Sequence, residues 1–267
     1  MLTREGFREI YGSRPLFGMV HLAALPGAPL FGGSMDAVID AALRDAKAIE
    51  EGGGSGLLFE NFSDRPFRRG PADPETIAAM TVVIREVTRE IALPFGVNVL
   101  RNDARSALAI ATVTAARFVR INVHTGAMVT DQGIIEGAAD ETTRRRAALG
   151  VACHLFCDHL VKHAVPLAAI DENQSLRDLR ARGLADAIII TGKETGAAAE
   201  PDRLQRARET VDAPLILGSG LTPFNAAVYA PLVDGAIAGT GIKEGGVVEN
   251  RVARERVARL VEELSRS

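Results

Sequence analysis

The stretch GVNVLRNDARSALAIA, residues 96–111, begins as a strand and ends as a helix, and at the join it places Asn98, Arg101, Asn102 and Asp103. Val97 and Val99 suit a pleated, buried segment. The Ala, Leu and Ile residues beyond position 104 recur at the spacing of one helix face. A strand followed by a helix is half of a parallel-sheet repeat, so the fold turns on how often this unit recurs.

Outward from it, apolar runs expected as strands lie at 16–22, 56–61, 95–100, 117–124, 151–159, 186–192, 214–220 and 233–241. Amphipathic stretches expected as helices lie at 34–53, 73–91, 103–115, 138–150, 175–183, 201–210, 222–230 and 251–265. Ser34 or Asp36 suits the N-cap of the first helix, and Asp73 precedes Pro74 at the first helical position of the second. Eight strands and eight helices alternate with no linker and no low-complexity tract. The expected fold is therefore an α/β (β/α)8 TIM barrel, a single domain over residues 1–267. A doubly wound open sheet is the alternative, because order along the chain does not show closure.

The chain has 267 residues, 47% hydrophobic and 24% charged, and its 31 basic and 34 acidic residues leave a net charge of -3. Such a balance supplies no long-range field for nucleic acid. The N-terminal residues carry charges where a signal peptide needs an apolar run, and no segment approaches the roughly 20 apolar residues of a membrane span. A cytoplasmic protein without direct membrane insertion is expected. Cys153 and Cys157 sit near His154, His159 and His163, but on a strand residues four apart are separated by about 13 Å, too far to share one ion. The cysteines read as small buried side chains. No motif asks for a cofactor or a metal ion.

Of the cations, 27 are Arg and only four are Lys, and Lys162, Lys193 and Lys243 fall just beyond expected strands. A compact ammonium at those places suits phosphate binding or proton transfer. If the barrel closes, strand-end side chains converge at its C-terminal face. These are His21; Glu60 and Asn61; Asn98, with Arg101 and Asn102 beyond it; Arg120, Asn122 and His124; Asp158; and Thr191 with Gly192. Arg120, Asn122 and His124 are spaced by two and should point into the barrel, while Val119, Ile121 and Val123 pack on helices. A structural reading stands beside each: Arg120 as an ion-pair partner of Glu60 or Asp158, His21 on a backbone carbonyl, and Asn102 or Asp103 as an N-cap. The seventh and eighth strands lead into GSGLTP (218–223) and GTGIKEGG (239–246), where barrels place a phosphate site. Gly218, Ser219, Gly220, Gly239, Thr240 and Gly241 are its candidates. The loop HTGAMVTDQGIIEG (124–137) reads as a lid or as an ordered surface loop.

GMVHLAALPGAP, GLLFENFSDRPF, NVLRND, RINVHTGAMVTDQGIIEG, VKHAVPL, LADAIIITGKETG, LILGSGLT and GAIAGTGIKEGG together resemble the BtpA/SgcQ family, across residues 18–246. The resemblance implies a ribulose-phosphate-binding-type barrel. It also carries a family name tied to photosystem I biogenesis in cyanobacteria, with other relatives beside sugar-transport genes. It brings no catalytic set that can be carried over.

Three functions remain open at this point. The first is an isomerase, epimerase or lyase acting on a small phosphorylated, sugar-like metabolite. In it Asp158 is the general base, Glu60 or His124 the complementary acid, and Lys162 or Lys193 a possible Schiff-base lysine. His21, Asn61, Asn98, Arg101, Asn102, Arg120, Asn122 and Thr191 would contact the substrate. The second is a non-catalytic assembly factor for a membrane complex. The third is a metal-dependent hydrolase using Glu60, His124 and Asp158, ranked last because the first strand lacks a His-x-His pair. A homo-oligomer is compatible with all three.

Overall fold

The computed structural model describes residues 1–192 and 199–266; Lys193 lies outside the described residues. A short helix, α1 (Arg4–Tyr11), precedes the first strand. The sheet strands are β1 (Leu16–His21), β2 (Gly56–Glu60), β3 (Phe95–Asn98), β4 (Phe118–Ile121), β5 (Ala127–Thr130), β6 (Gly133–Glu136), β7 (His154–His159), β8 (Ala164–Pro166), β9 (Ala187–Ile190), β10 (Leu215–Leu217) and β11 (Gly235–Ala238). The remaining helices are α2 (Met35–Glu51), α3 (Pro74–Glu90), α4 (Ala104–Thr114), α5 (Ala139–Leu149), α6 (Glu172–Ala181), α7 (Pro201–Thr210), α8 (Ala226–Tyr229) and α9 (Arg254–Ser265).

Eight strands close in the order β1-β11-β10-β9-β7-β4-β3-β2, all parallel. Closure is visible at β1, which pairs with β2 through Phe17–His21 and with β11 through Leu16–Gly18. The open-sheet alternative is thereby excluded. Alternation sorts the side chains. Leu16, Val20, Leu57, Phe59, Val97, Val119, Ile121, Ile188 and Leu215 face the helices. Phe17, Met19, Leu58, Phe118, Phe156, Ile189, Ile216 and Ile237 fill the interior. Gly96 belongs to this inner layer: a Cβ there would stand 2.3 Å from the Phe118 ring, so only glycine lets the ring lie flat across β3.

Helix α1 was absent from the sequence expectation. Thr3 caps it, its side chain accepting from the Gly6 amide, and Phe7 and Tyr11, four residues apart, bring two rings to one face. That face closes the barrel floor against Phe17, Phe118 and Phe156. At the opposite end, the expected lid-or-loop is an ordered antiparallel sheet, β6-β5-β8, with a small core of Val123, Met128, Ile135 and Val161. The expected helix at 222–230 is shorter, since Pro231 follows α8 inside a 3-10 turn, Ala230–Leu232. Cys153 and Cys157 are buried in the outer core, as read, and burial pushes the Cys153 thiol up to about 12.

Candidate functional site

Strand parity builds the mouth of the barrel. The positions that carry aromatic and aliphatic side chains near the floor carry His21, Glu60, Asn98, Arg120, Asn122 and Asp158 one or two pleats higher. Arg120 is the hub. Its Nε donates to Asp158 Oδ2 at 3.2 Å and its Nη2 to Oδ1 at 3.1 Å. Asn122 Nδ2 donates to Asp158 Oδ2 at 2.7 Å, and Asn98 Nδ2 donates in turn to Asn122 Oδ1 and to the Arg120 carbonyl. On its other side Arg120 Nη1 lies 3.9 Å from Glu60 Oε2, and Glu60 Oε1 lies 3.8 Å from His21 Nε2. Burial by itself would lower the Arg120 guanidinium, but Asp158 and then Glu60 outweigh it and hold the group charged, above its ordinary value.

One cavity opens over this chain. It is lined by His21, Glu60, Arg120 and Lys162 on one side and by Gly218–Leu221 and Gly239–Gly241 on the other. All six Gly/Ser/Thr candidates of the last two loops therefore meet Glu60 and Lys162. A Cβ on Gly239 would come within 3.0 Å of His21 Cε1, so glycine there leaves the imidazole its place. His21 stacks on Phe62 with centroids 4.3 Å apart. Burial, then the nearby Lys243, Lys162 and Arg120 cations, hold it well below the ordinary histidine range, so the ring is neutral. Burial followed by the Arg120 charge lowers Lys162 as well. The free volume is about 20 Å3, room for about one water. A metabolite enters only if side chains or loops give way.

Among the described residues, the buried polar atoms at this end without a hydrogen-bond partner include His21 Nδ1, Asn98 Oδ1 and Thr191 Oγ1. Buried polar atoms are usually paired, and an orphan needs a reason such as a water or a ligand. The Ser219 hydroxyl accepts from the Gly192 amide at 3.0 Å, joining the loop after β9 to the loop after β10.

Other candidates are drawn elsewhere. Asp158 does not line the cavity: its side chain is 0% exposed and both oxygens are held by Arg120 and Asn122. Its two oxygens face the Arg120 guanidinium and the Asn122 amide. His124 fails the expected alternation because β4 ends at Ile121. Its Nε2 meets the Gly183 carbonyl at 2.7 Å, away from Glu60, and burial keeps the ring neutral. Glu60, His124 and Asp158 thus do not converge as ion ligands, and no group of three such residues does so among the described residues. Asn61 clamps a loop, accepting from the Leu100 amide and donating to Asp64. Asn102 makes both amide bonds to Val123, at 2.8 Å each. Asp103 is the N-cap of α4, accepting from Ser106, and also accepts from Ala72. Arg101 reaches across to donate to the Lys162 carbonyl at 2.8 Å. The corner at 98–103 therefore divides: Asn98 serves the barrel interior, and the other three hold loops around the mouth. Lys243 is spent on Asp45, at 2.6 Å. Phe62, which the sequence reading passed over, had one available signal, an aromatic residue two places after the strand-end Glu60.

The BtpA family model matches residues 12–266. A protein of Thermococcus kodakarensis named only as uncharacterized is 46% identical over 93% of this chain and 94% of its own length. The photosystem I biogenesis protein BtpA of Synechocystis is 38% identical, over 97% of this chain and 91% of its own. Among solved structures, thiamine phosphate pyrophosphorylase from Pyrococcus furiosus aligns with TM-score 0.60 at 12% identity, covering 94% of this chain and 96% of its own. Tryptophan synthase from Mycobacterium tuberculosis aligns with TM-score 0.62 at 13% identity, covering 99% of each chain. At such identities the two structures speak for the barrel fold alone.

Proposed function

The chain belongs to the BtpA family, and from that premise and the cavity at the barrel mouth we propose an enzyme for a small phosphorylated, sugar-like metabolite. The phosphate lies against Gly218, Ser219 and Gly220 and against Gly239, Thr240 and Gly241. The reacting carbons lie over Glu60. The observation that carries this reading is a single cavity that joins two Gly/Ser/Thr loops to a carboxylate whose nearest ionic partners stand 3.8 and 3.9 Å away. Glycine-rich loops after the last two strands admit an anion close to the backbone. A carboxylate with no short partner can exchange a proton with a carbon beside a carbonyl. Arg120, charged and locked by Asp158, stabilises the oxyanion that forms when that proton leaves. These roles suit isomerase, epimerase or lyase chemistry. Asp158, first expected as the base, becomes a positioning residue here.

The test is thermal stability against a panel of phosphorylated sugars, their dephosphorylated forms and inorganic phosphate. A ligand at a hundred times its dissociation constant adds ~2.7 kcal/mol, a rise of roughly 5 to 10 °C for a chain of this size. The reading requires stabilisation that depends on the phosphate. Glu60→Gln should keep that shift and lower turnover about 10²- to 10⁴-fold. A flat response across the panel would favour a second reading, a non-catalytic assembly factor for a membrane complex, for which the Synechocystis relative's name speaks. No helix among the described residues is long and apolar enough to cross a membrane.

A further inference from the structure

We propose that Lys162 is a covalent catalytic residue that forms an imine with the carbonyl carbon of a phosphorylated aldehyde or ketone. The inference rests on the phosphometabolite reading above and narrows it to carbonyl substrates.

Three described lysines differ sharply in setting. Lys47 is on the surface, 3.9 Å from Glu90. Lys243 is buried and saturated by Asp45. Lys162 lines the cavity opposite the glycine loops, and no carboxylate among the described residues comes within 4.0 Å of its ammonium. Its charged neighbours are Arg120, whose charge lowers it most, then Glu60 and Asp158, which raise it, and Arg101, which lowers it. Burial and then the fixed guanidinium lower this amine, which favours the neutral form that attacks a carbonyl. Arg120 cannot trade places with it in charge, because Asp158 keeps the guanidinium protonated.

The backbone points the same way. Leu160 and His163 bracket Lys162 with left-handed φ of 54° and 55°, a conformation that side chains other than glycine rarely adopt. Arg101 pins the Lys162 carbonyl between them. Strained non-glycine residues gather where a side chain must be held at a site. In a chain with 27 Arg and four Lys, the choice of Lys here also has a chemical reason, since a guanidinium does not form imines under these conditions.

The Lys162 nitrogen lone pair attacks the carbonyl carbon, and the C=O π pair moves to oxygen beside Arg120. A proton passes from nitrogen to that oxygen, with Glu60 carrying it, giving a carbinolamine. A second proton, taken from solvent and relayed by Glu60, reaches the hydroxyl; the C–O bond breaks, water leaves and the protonated imine remains. It is an electron sink for loss of a proton, or cleavage of a C–C bond, at the adjacent carbon.

The experiment treats the full chain with sodium borohydride in the presence of dihydroxyacetone phosphate, glyceraldehyde 3-phosphate or ribulose 5-phosphate, with inorganic phosphate as the control. Intact mass and peptide mapping locate the adduct, and thermal stability without borohydride reports binding. The expected result is one reduced adduct on Lys162, at least tenfold above the exposed Lys47, and its loss in Lys162→Met. A phosphate-dependent stabilisation with no adduct, or adducts shared equally with Lys47, overturns the imine and leaves the binding reading standing. Neither stabilisation nor adduct with any of the three probes overturns both.

Discussion

The two ends of the barrel are built on the same eight strands and treat their interior side chains in opposite ways. At the floor, Phe118 stacks on Phe156 with centroids 4.3 Å apart, Phe17 meets Phe118 at 5.0 Å, and Tyr11 caps the cluster. The Tyr11 hydroxyl in this cluster is satisfied, meeting His154 Nδ1 at 2.9 Å and the Arg117 carbonyl at 3.3 Å. At the mouth, the same inward parity carries Glu60, Arg120 and Asp158, and His21, Asn98 and Thr191 each leave a buried atom without a partner. The floor is finished by packing. The mouth is left open to a further partner, which is what separates an end that stabilises from an end that binds.

The strongest way to break this contrast is to remove one half of the buried pair under the mouth. Asp158→Ala should cost about 3–5 kcal/mol, because Arg120 would remain buried and uncompensated. A urea midpoint unchanged from the parent chain would mean that the pair does not support the site. At the floor, Phe118→Ala should cost a similar ~3–5 kcal/mol through the cavity it leaves. The two variants then differ in function: ligand-induced stabilisation per folded molecule should survive Phe118→Ala and fail in Asp158→Ala. Equal loss of ligand response would erase the distinction between the ends.

Acid sharpens it further. Burial, and then the Arg203 guanidinium, lower His159 from its ordinary 6.5 to about 3. Between those values the unfolded chain binds a proton that the folded chain refuses, so stability rises with pH across that window and falls on acidification from about 6.5 towards 3. His159→Gln should flatten that slope in melting temperature measured from pH 7 to 4. A slope identical to that of the parent would assign the acid sensitivity to other groups. The smallest expected effect is at the floor. Tyr11→Phe removes a hydroxyl with two partners, should cost ~0.5–1.5 kcal/mol, and should leave the ligand response untouched. Its dependence on ligand would show the floor coupled to the mouth.

Much of the architecture was legible along the chain because its signals are local. Alternation in FVRI, the unbroken apolar run AIII, the Asp73-Pro74 helix start and the glycines after the seventh and eighth strands each depend on residues a few places apart. Repeated eight times, they determined the order of units, the face on which Glu60, Arg120 and Asp158 would emerge, and the two loops that line the cavity. What the tertiary structure decided is the choice of partners. Strand β4 stops at Ile121, so His124 follows the loop outward to Gly183 instead of alternating inward. Asp158 is claimed by Arg120 and Asn122 from a neighbouring strand, and Glu60 is left with only long contacts. Helix α1 is charged along its sequence, yet Phe7 and Tyr11 seal a floor that exists only once the sheet has closed. These outcomes depend largely on residues brought together across 36 to 143 positions, as Asn122 and Asp158, and Tyr11 and His154, are. A hydrogen bond or a buried ring is worth its energy only against the particular group that meets it, and closure of the barrel selects that group.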